Sequence, residues 1–454
     1  MKSRLVFWLI AALLVLAVNQ KKRWNSLEVF DWDAGGYFSY LPAVFIYDDP
    51  GRVDILALRV QQRFPASEEA QHHIDHLGIH QLPNGRYATK YPLGVALSQL
   101  PWFGGAHLYS HLRHLPADGA FWPYQQAAML AGLAYALLGL WVVRKLLLRY
   151  YADGVVAWTL AGIGLGTNYF VYASHEAALS HAVLFLWQAS LLYCTARWYE
   201  TPARRWALGM GLFLGLATLT RLSEAMYGLV PLLWGLSSAA AWRQRPALLA
   251  RHAGQLAQAV GLGLAVVSLQ FIFWRVVGGQ WVLNGYQGER FDFDHPHLVE
   301  GLISIRRGWF VFTPLAALLL VGGLPRLGHY VPAAVPVVLG LLPVVLYITF
   351  SWAQWWYGWG FSTRPLVSCY PLLALPLGAL VAASQPGRLA SPLVRSLLLA
   401  CVVLNMWQGW QYVNSVLPGD ELTAEVYRER FFQVPPFFPA AATPPVPPPA
   451  PAVW

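Results

Sequence analysis

Residues 331–348 read VPAAVPVVLGLLPVVLYI, a run without a single charged side chain and with Val, Leu or Ile at most positions. A stretch of this length and composition can cross the hydrocarbon of a bilayer as a helix. Its prolines do not argue against that, because neighbouring helices can satisfy the backbone groups that a membrane proline frees. Similar apolar runs recur outward in both directions, at Ala131–Val143, Ala182–Tyr193, Val260–Trp274 and Leu397–Leu404. Over 454 residues the chain is 57% hydrophobic and only 12% charged, which leaves no room for a conventional soluble core. We therefore expect an all-α polytopic membrane protein of about eleven transmembrane helices. The expected spans are 5–19, 120–145, 155–174, 178–197, 206–220, 223–239, 253–276, 308–324, 330–350, 365–384 and 395–411.

The formal net charge of +9 raises the question of nucleic acid, but the basic residues sit in short clusters beside the ends of apolar runs. Membrane topology accounts for that distribution and no nucleic-acid partner is expected. The clusters Arg144-Lys145 with Arg149, Arg197 with Arg204-Arg205, Arg243 with Arg245 and Arg251, Arg326, and Arg388 with Arg395 alternate with the other loops. The positive-inside rule then puts the N-terminus in the cytoplasm and the C-terminus outside. Lys21-Lys22-Arg23 falls on the outer side and opposes this orientation locally, although long translocated loops are largely exempt. Leu5–Val18, preceded by Lys2 and Arg4, reads as an uncleaved first span because no small-residue cleavage site follows. Cys194, Cys369 and Cys401 lack C-x-x-C spacing, so neither a disulfide framework nor a zinc site is suggested.

This topology divides the chain into a first transmembrane helix (1–19), an extracytoplasmic loop (20–119), a multi-helix bundle (120–411) and a Pro-rich extracytoplasmic tail (412–454). Ala34–Tyr47 and Tyr91–Leu112 have the pattern of helices lying in the membrane interface. Between them the hydrophilic stretch Glu68–Arg86 carries His72, His73, His76 and His80, which suit a surface better than a ligand set. Two further outward loops, 277–307 and 351–364, complete the face on which chemistry is expected.

Three stretches on that face carry chemistry-bearing side chains. DWDAGGYFSYLP (31–42) places Asp31 and Asp33 beside a membrane surface, where a carboxylate needs water, a proton or a cation. Either could be a catalytic base, or a solvated carboxylate in an interfacial turn. TKYPLG (89–94) sets Lys90 at the start of an apolar helix, suited to an anion such as phosphate and equally to a snorkelling position. WAQWWYGWGFSTRP (352–365) combines aromatic faces with Arg364, whose planar fork matches phosphate. Trp and Tyr also belong to membrane-interface belts by default. Tyr37, Tyr40, His181, Glu289, Trp356 and Trp359 are candidates for substrate contact. Arg221 and Glu224 interrupt an apolar stretch and mark either an outward turn or an intramembrane pair. Two histidines six residues apart, His175 and His181, do not make an H-E-x-x-H zinc site. Gly162, Gly164 and Gly166 lie inside an apolar run and read as helix packing rather than nucleotide binding, and no Walker-type loop is present.

The order of these features resembles the GT-C superfamily of membrane glycosyltransferases, which includes protein O-mannosyltransferases and bacterial lipid A aminoarabinose transferases. Asp33, with Asp31, stands where such proteins carry an acidic residue early in the first outer loop. Lys90 in Lys90-Tyr91-Pro92 is similar to their phosphate-contacting lysine, and the Trp-rich loop ending in Arg364-Pro365 is similar to one in bacterial members. The chain departs from the O-mannosyltransferases in lacking a clear Asp-Glu pair, and it ends in a Pro-rich tail rather than a large soluble domain.

The resemblance implies transfer of a hexosyl or pentosyl group from a polyprenyl-phosphate donor to a glycan, lipid or protein acceptor, at the extracytoplasmic face of a bacterial inner membrane. It gives Asp33 or Asp31 the role of base, and Lys90 with Arg364 the donor phosphate. Membrane lipids are the other expected partners. No cofactor is required by the sequence, and the carboxylates leave room for a divalent cation. The competing reading is a transporter or flippase for a lipid-linked or anionic solute, since membrane arginines and acids also mark translocation paths. A non-catalytic assembly protein would not need Asp31, Asp33, Lys90 and Arg364 to converge.

Overall fold

The computed structural model of the chain describes residues 1–25, 29–63, 76–384 and 390–434. His72, His73, Arg388 and the Pro-rich stretch beyond residue 434 lie outside them. Among the described residues the architecture is all-helical apart from one small antiparallel hairpin, Ile79–Gln81 with Tyr87–Thr89. Every one of the eleven expected spans is at least partly helical. Among the described residues, six helices are long and apolar enough to cross a membrane: Lys2–Asn25, Trp122–Leu147, Ala253–Gly278, Pro332–Phe350, Arg364–Ala383 and Ser391–Val413.

The other expected spans depart from continuous apolar helices for identifiable reasons. Span 155–174 is divided into Asp153–Leu165 and Tyr169–Ala173. At the break the Thr167 hydroxyl donates to the Ile163 carbonyl, and Asn168 accepts from the Tyr370 hydroxyl. Span 308–324 breaks into Trp309–Phe312 and Leu315–Leu318, followed by a wider turn at Leu319–Gly323. Pro314 between the first two pieces has no N–H to continue the helix. Span 223–239 becomes a 3-10 turn, Leu222–Gly228, and the short helix Leu229–Leu233. Ser180–Glu200 and Arg204–Thr220 are continuous helices that end in charged residues or are shorter than the rest.

Small residues let the helices approach closely. A Cβ on Gly211 would lie 1.9 Å from the Ala259 carbonyl oxygen, so Arg204–Thr220 and Ala253–Gly278 meet backbone to backbone. The outer face of Ala253–Gly278 exposes Val260, Leu264, Ile272 and Val276, the arrangement expected of a helix that faces lipid.

The expected interfacial helices form as Trp32–Phe38 with Tyr40–Phe45, and as Gly94–Leu112. The segment after residue 411 is not all tail. Residues 412–434 include the helix Ala424–Arg430, and Leu417 and Leu422 are buried with Val171, Phe312 and Phe361 in a second hydrophobic cluster. This segment folds back over the same end of the bundle that carries the first-loop helices.

Candidate active site

Asp31 caps the helix Trp32–Phe38: its carboxylate accepts from the Trp32 backbone N–H at 3.0 Å. The cap fixes the start of the helix and so the direction of Asp33, two residues on. The glycines that follow allow close packing. A Cβ on Gly36 would lie 2.4 Å from both the Leu77 carbonyl oxygen and the Tyr91 ring, so only a bare backbone permits Tyr91 to sit here. Tyr91 is thereby set against Asp33, and its hydroxyl donates to Asp33 Oδ1 at 2.6 Å.

The other Asp33 oxygen, Oδ2, lies 3.0 Å from Arg364 Nη1, with the two side chains 22% and 17% exposed. Burial alone would raise the Asp33 carboxyl. The Arg364 guanidinium, the Tyr91 hydrogen bond and the positive charges of Lys90 and Arg221 outweigh it and hold the group below its ordinary value. Tyr91 shifts the opposite way: burial, together with the Asp33 charge, pushes it well up, so it remains a hydrogen-bond donor. Asp33 is therefore a carboxylate with both oxygens held and lone pairs still available.

Asp33 and Arg364 lie on the wall between two cavities. The first, of about 420 Å³, is also lined by Tyr37, Lys90, His181, Arg221, Glu224 and Glu289. Its charged residues are paired. Lys90 Nζ donates to Glu289 Oε1 at 2.5 Å. Arg221 Nη1 lies 3.5 Å from Glu224 Oε1, and Gln188 donates to Glu224 Oε2 at 2.7 Å. Arg221 and Glu224 thus form an ion pair and also mark a turn, at the start of the 3-10 segment. The Ser180 hydroxyl accepts from Tyr37 and from Arg221, both at 3.3 Å. His181 packs edge-on against Tyr172, and its Nδ1 is buried without a hydrogen-bond partner. Trp274, Leu283, Val345 and Ile348 add apolar wall to this cavity.

The second cavity, of about 510 Å³, is lined by Asp31, Trp32, His76, Glu176 and Trp359 and closed by residues of the 412–434 segment. Asp31 faces this cavity and not the first. Two other candidates stand apart from both: the Tyr40 hydroxyl donates to the Tyr91 carbonyl, and the Trp356 ring stacks under Arg306 at 3.8 Å. Among the described residues no group of three or more His, Cys, Asp or Glu side chains is arranged to hold a metal ion.

Sequence reasoning missed Tyr91 and Arg23. Tyr91 lies inside the Lys90-Tyr91-Pro92 motif, whose charged lysine carries the stronger chemical signal. Arg23, which in sequence reads as a topology signal, pairs with Glu176 at 3.1 Å and lines the second cavity.

The arrangement of first-loop helices and broken membrane helices is the GT-C fold, and the chain is an integral membrane protein of that architecture. Two solved structures of ArnT from Cupriavidus metallidurans share it, one bound to undecaprenyl phosphate and one in the apo state. They superpose with TM-scores of 0.51 and 0.50 at 16% identity, covering 90% of this chain and 70% and 69% of theirs. No protein-family model matches the sequence, and no curated protein matches it.

Proposed function

We propose that the protein transfers a sugar, hexosyl or pentosyl, from a polyprenyl-phosphate donor to an acceptor at the extracytoplasmic face of the membrane. The observation that carries this reading is the Asp33–Arg364 pair on the wall of a cavity that also holds Lys90 and Arg221. The likeness to ArnT bound to undecaprenyl phosphate supports the lipid-linked donor.

In this reading the donor phosphate lies against Lys90 and Arg364. Arg364 can serve both partners, because a guanidinium has five N–H donors and only one edge is spent on Asp33. The acceptor hydroxyl or amine attacks the anomeric carbon and gives its proton to the Asp33 carboxylate. The bond between that carbon and the phosphate oxygen breaks, and polyprenyl phosphate leaves with the bonding pair. Arg364 and Lys90 stabilise the charge gathering on the leaving phosphate, and Tyr91 and Arg364 keep the base in one orientation. Neither step calls on a metal, although the carboxylates leave room for a divalent cation.

Proteoliposomes containing the purified protein, supplied with a polyprenyl-phosphate sugar and a cell-envelope glycan extract, should release polyprenyl phosphate. Asp33→Asn should slow the release by about 10²–10⁴-fold. Turnover that survives in Asp33→Asn and is lost in Asp31→Asn would move the base to Asp31.

A further inference from the structure

The second cavity has a feature that proton transfer and phosphate binding do not use. Two indoles, Trp32 and Trp359, line it while remaining 53% and 63% exposed. Each is backed on one side. The His76 imidazole stacks on Trp32 at 4.3 Å with the planes 8° apart, and His76 Nδ1 lies 3.6 Å from Asp31 Oδ1. A Cβ on Gly419 would lie 2.0 Å from Trp359 Cε3, so this backbone presses directly against that ring.

Trp32 also holds φ at +50°, the left-handed region that a bulky residue adopts only when its surroundings impose it. The strained residue sits between the capping Asp31 and Asp33. The consequence of that backbone is an indole that stays largely in the open rather than packing into the bundle. Neither indole lines the first cavity.

Aromatic faces held rigid and exposed, beside carboxylates that accept hydroxyl protons, match one class of ligand well. A sugar ring presents C–H groups on one face for an indole and hydroxyls at its edge for a carboxylate. The volume falls within the roughly 300–1,000 Å³ of small-ligand sites, enough for the end of a glycan. We infer that the second cavity is a saccharide site, in which Trp32 and Trp359 stack the end of an acceptor glycan and bring one hydroxyl to Asp33. The inference rests on the glycosyl-transfer reading for its role as acceptor site, but saccharide binding itself does not.

The test uses the full-length protein in lipid nanodiscs. Saturation-transfer NMR is recorded on short neutral oligosaccharides covering gluco, manno, galacto and N-acetylamino configurations, and undecaprenyl phosphate binding is measured on the same samples. At least one oligosaccharide should bind through its C–H protons. Trp32→Ala and Trp359→Ala should each weaken that binding by about tenfold. Trp32→Phe should keep most of it, and Gly419→Ala, which displaces Trp359 without removing it, should weaken it as well. Undecaprenyl phosphate binding should be unchanged in Trp359→Ala. Absence of binding across the oligosaccharides, binding indifferent to both indoles, or binding of a serine- and threonine-rich peptide in their place overturns the inference. Loss of undecaprenyl phosphate binding by the unaltered protein, with saccharide binding intact, would instead sink the donor reading.

Discussion

Arg364 and Asp33 meet at 3.0 Å although one stands at the mouth of a late membrane span and the other in the loop after the first. The contact joins the two cavities and gives the carboxylate a fixed cation. In the proposed reaction an arginine here is not interchangeable with lysine, because the fork would have to face Asp33 and an incoming phosphate together. Arg364→Lys should lower kcat/KM for the donor by roughly 10²–10³-fold, the scale of losing one preorganised charge-stabilising group. Donor turnover in proteoliposomes measures it, and a loss under tenfold would contradict the assignment.

Replacing the carboxylate tests the other half of the pair. Asp33→Asn should reduce kcat by about 10²–10⁴-fold, the usual contribution of a positioned proton acceptor. Undecaprenyl phosphate binding should persist, since Lys90 and Arg364 remain. Single-turnover kinetics separate the two effects.

The depressed carboxyl sets a pH signature. A group held below its ordinary value in the fold is ionised throughout the neutral range. The stabilisation it contributes is present above the ordinary carboxyl pKa of about 3.9 and is lost as pH falls through the lowered value. The acid limb of kcat/KM should therefore lie below that ordinary value. Tyr91→Phe removes a hydrogen bond to the charged form, so the limb should move to higher pH. A limb that stays in place in Tyr91→Phe would argue that another group titrates.

Glu289 holds the Lys90 ammonium that the donor phosphate would need. Both side chains are partly exposed, so the pair is worth only about 0.2–1 kcal/mol. Glu289→Gln should tighten undecaprenyl phosphate binding by no more than roughly fivefold, and Lys90→Ala should weaken it. Tighter binding in both variants would exclude the competition.

Glu224 is 1% exposed and depends on Arg221 and Gln188 for its partners. Arg221→Ala leaves that carboxylate buried without its cation and should destabilise by about 3–5 kcal/mol, whereas Glu224→Gln, which keeps the hydrogen-bonding shape, should cost less. Thermal unfolding in detergent ranks the two, and the reverse order would show that Arg221 does not act through Glu224.

The spans were legible in the sequence because membrane insertion is read locally: a run such as 331–348 has no alternative solvent that suits it. Asp33, Lys90 and Arg364 were legible for a similar reason as charged side chains that stand where an apolar run starts or ends. Their partners were not. Tyr91 stands beside a lysine with a stronger signal, Arg23 belongs to a basic cluster that reads equally as a topology marker, and nothing in sequence separates Trp356 and Tyr40 from Trp359 and Tyr37. Broken helices were also unreadable where Asn168 and Thr167 trade helix continuity for hydrogen bonds to distant segments.

What the sequence determined by itself is therefore membrane residence, helical class and the charged side chains that stand at the ends of the apolar runs. Tertiary structure alone decided that Asp31 caps a helix while Asp33 meets Arg364, that Lys90 is held by Glu289, and that the chain beyond residue 411 closes a second cavity. The physical reason is range. Hydropathy and capping act over one or two helical turns, whereas ion pairs, ring stacking and cavity walls depend on how helices far apart in the chain pack together.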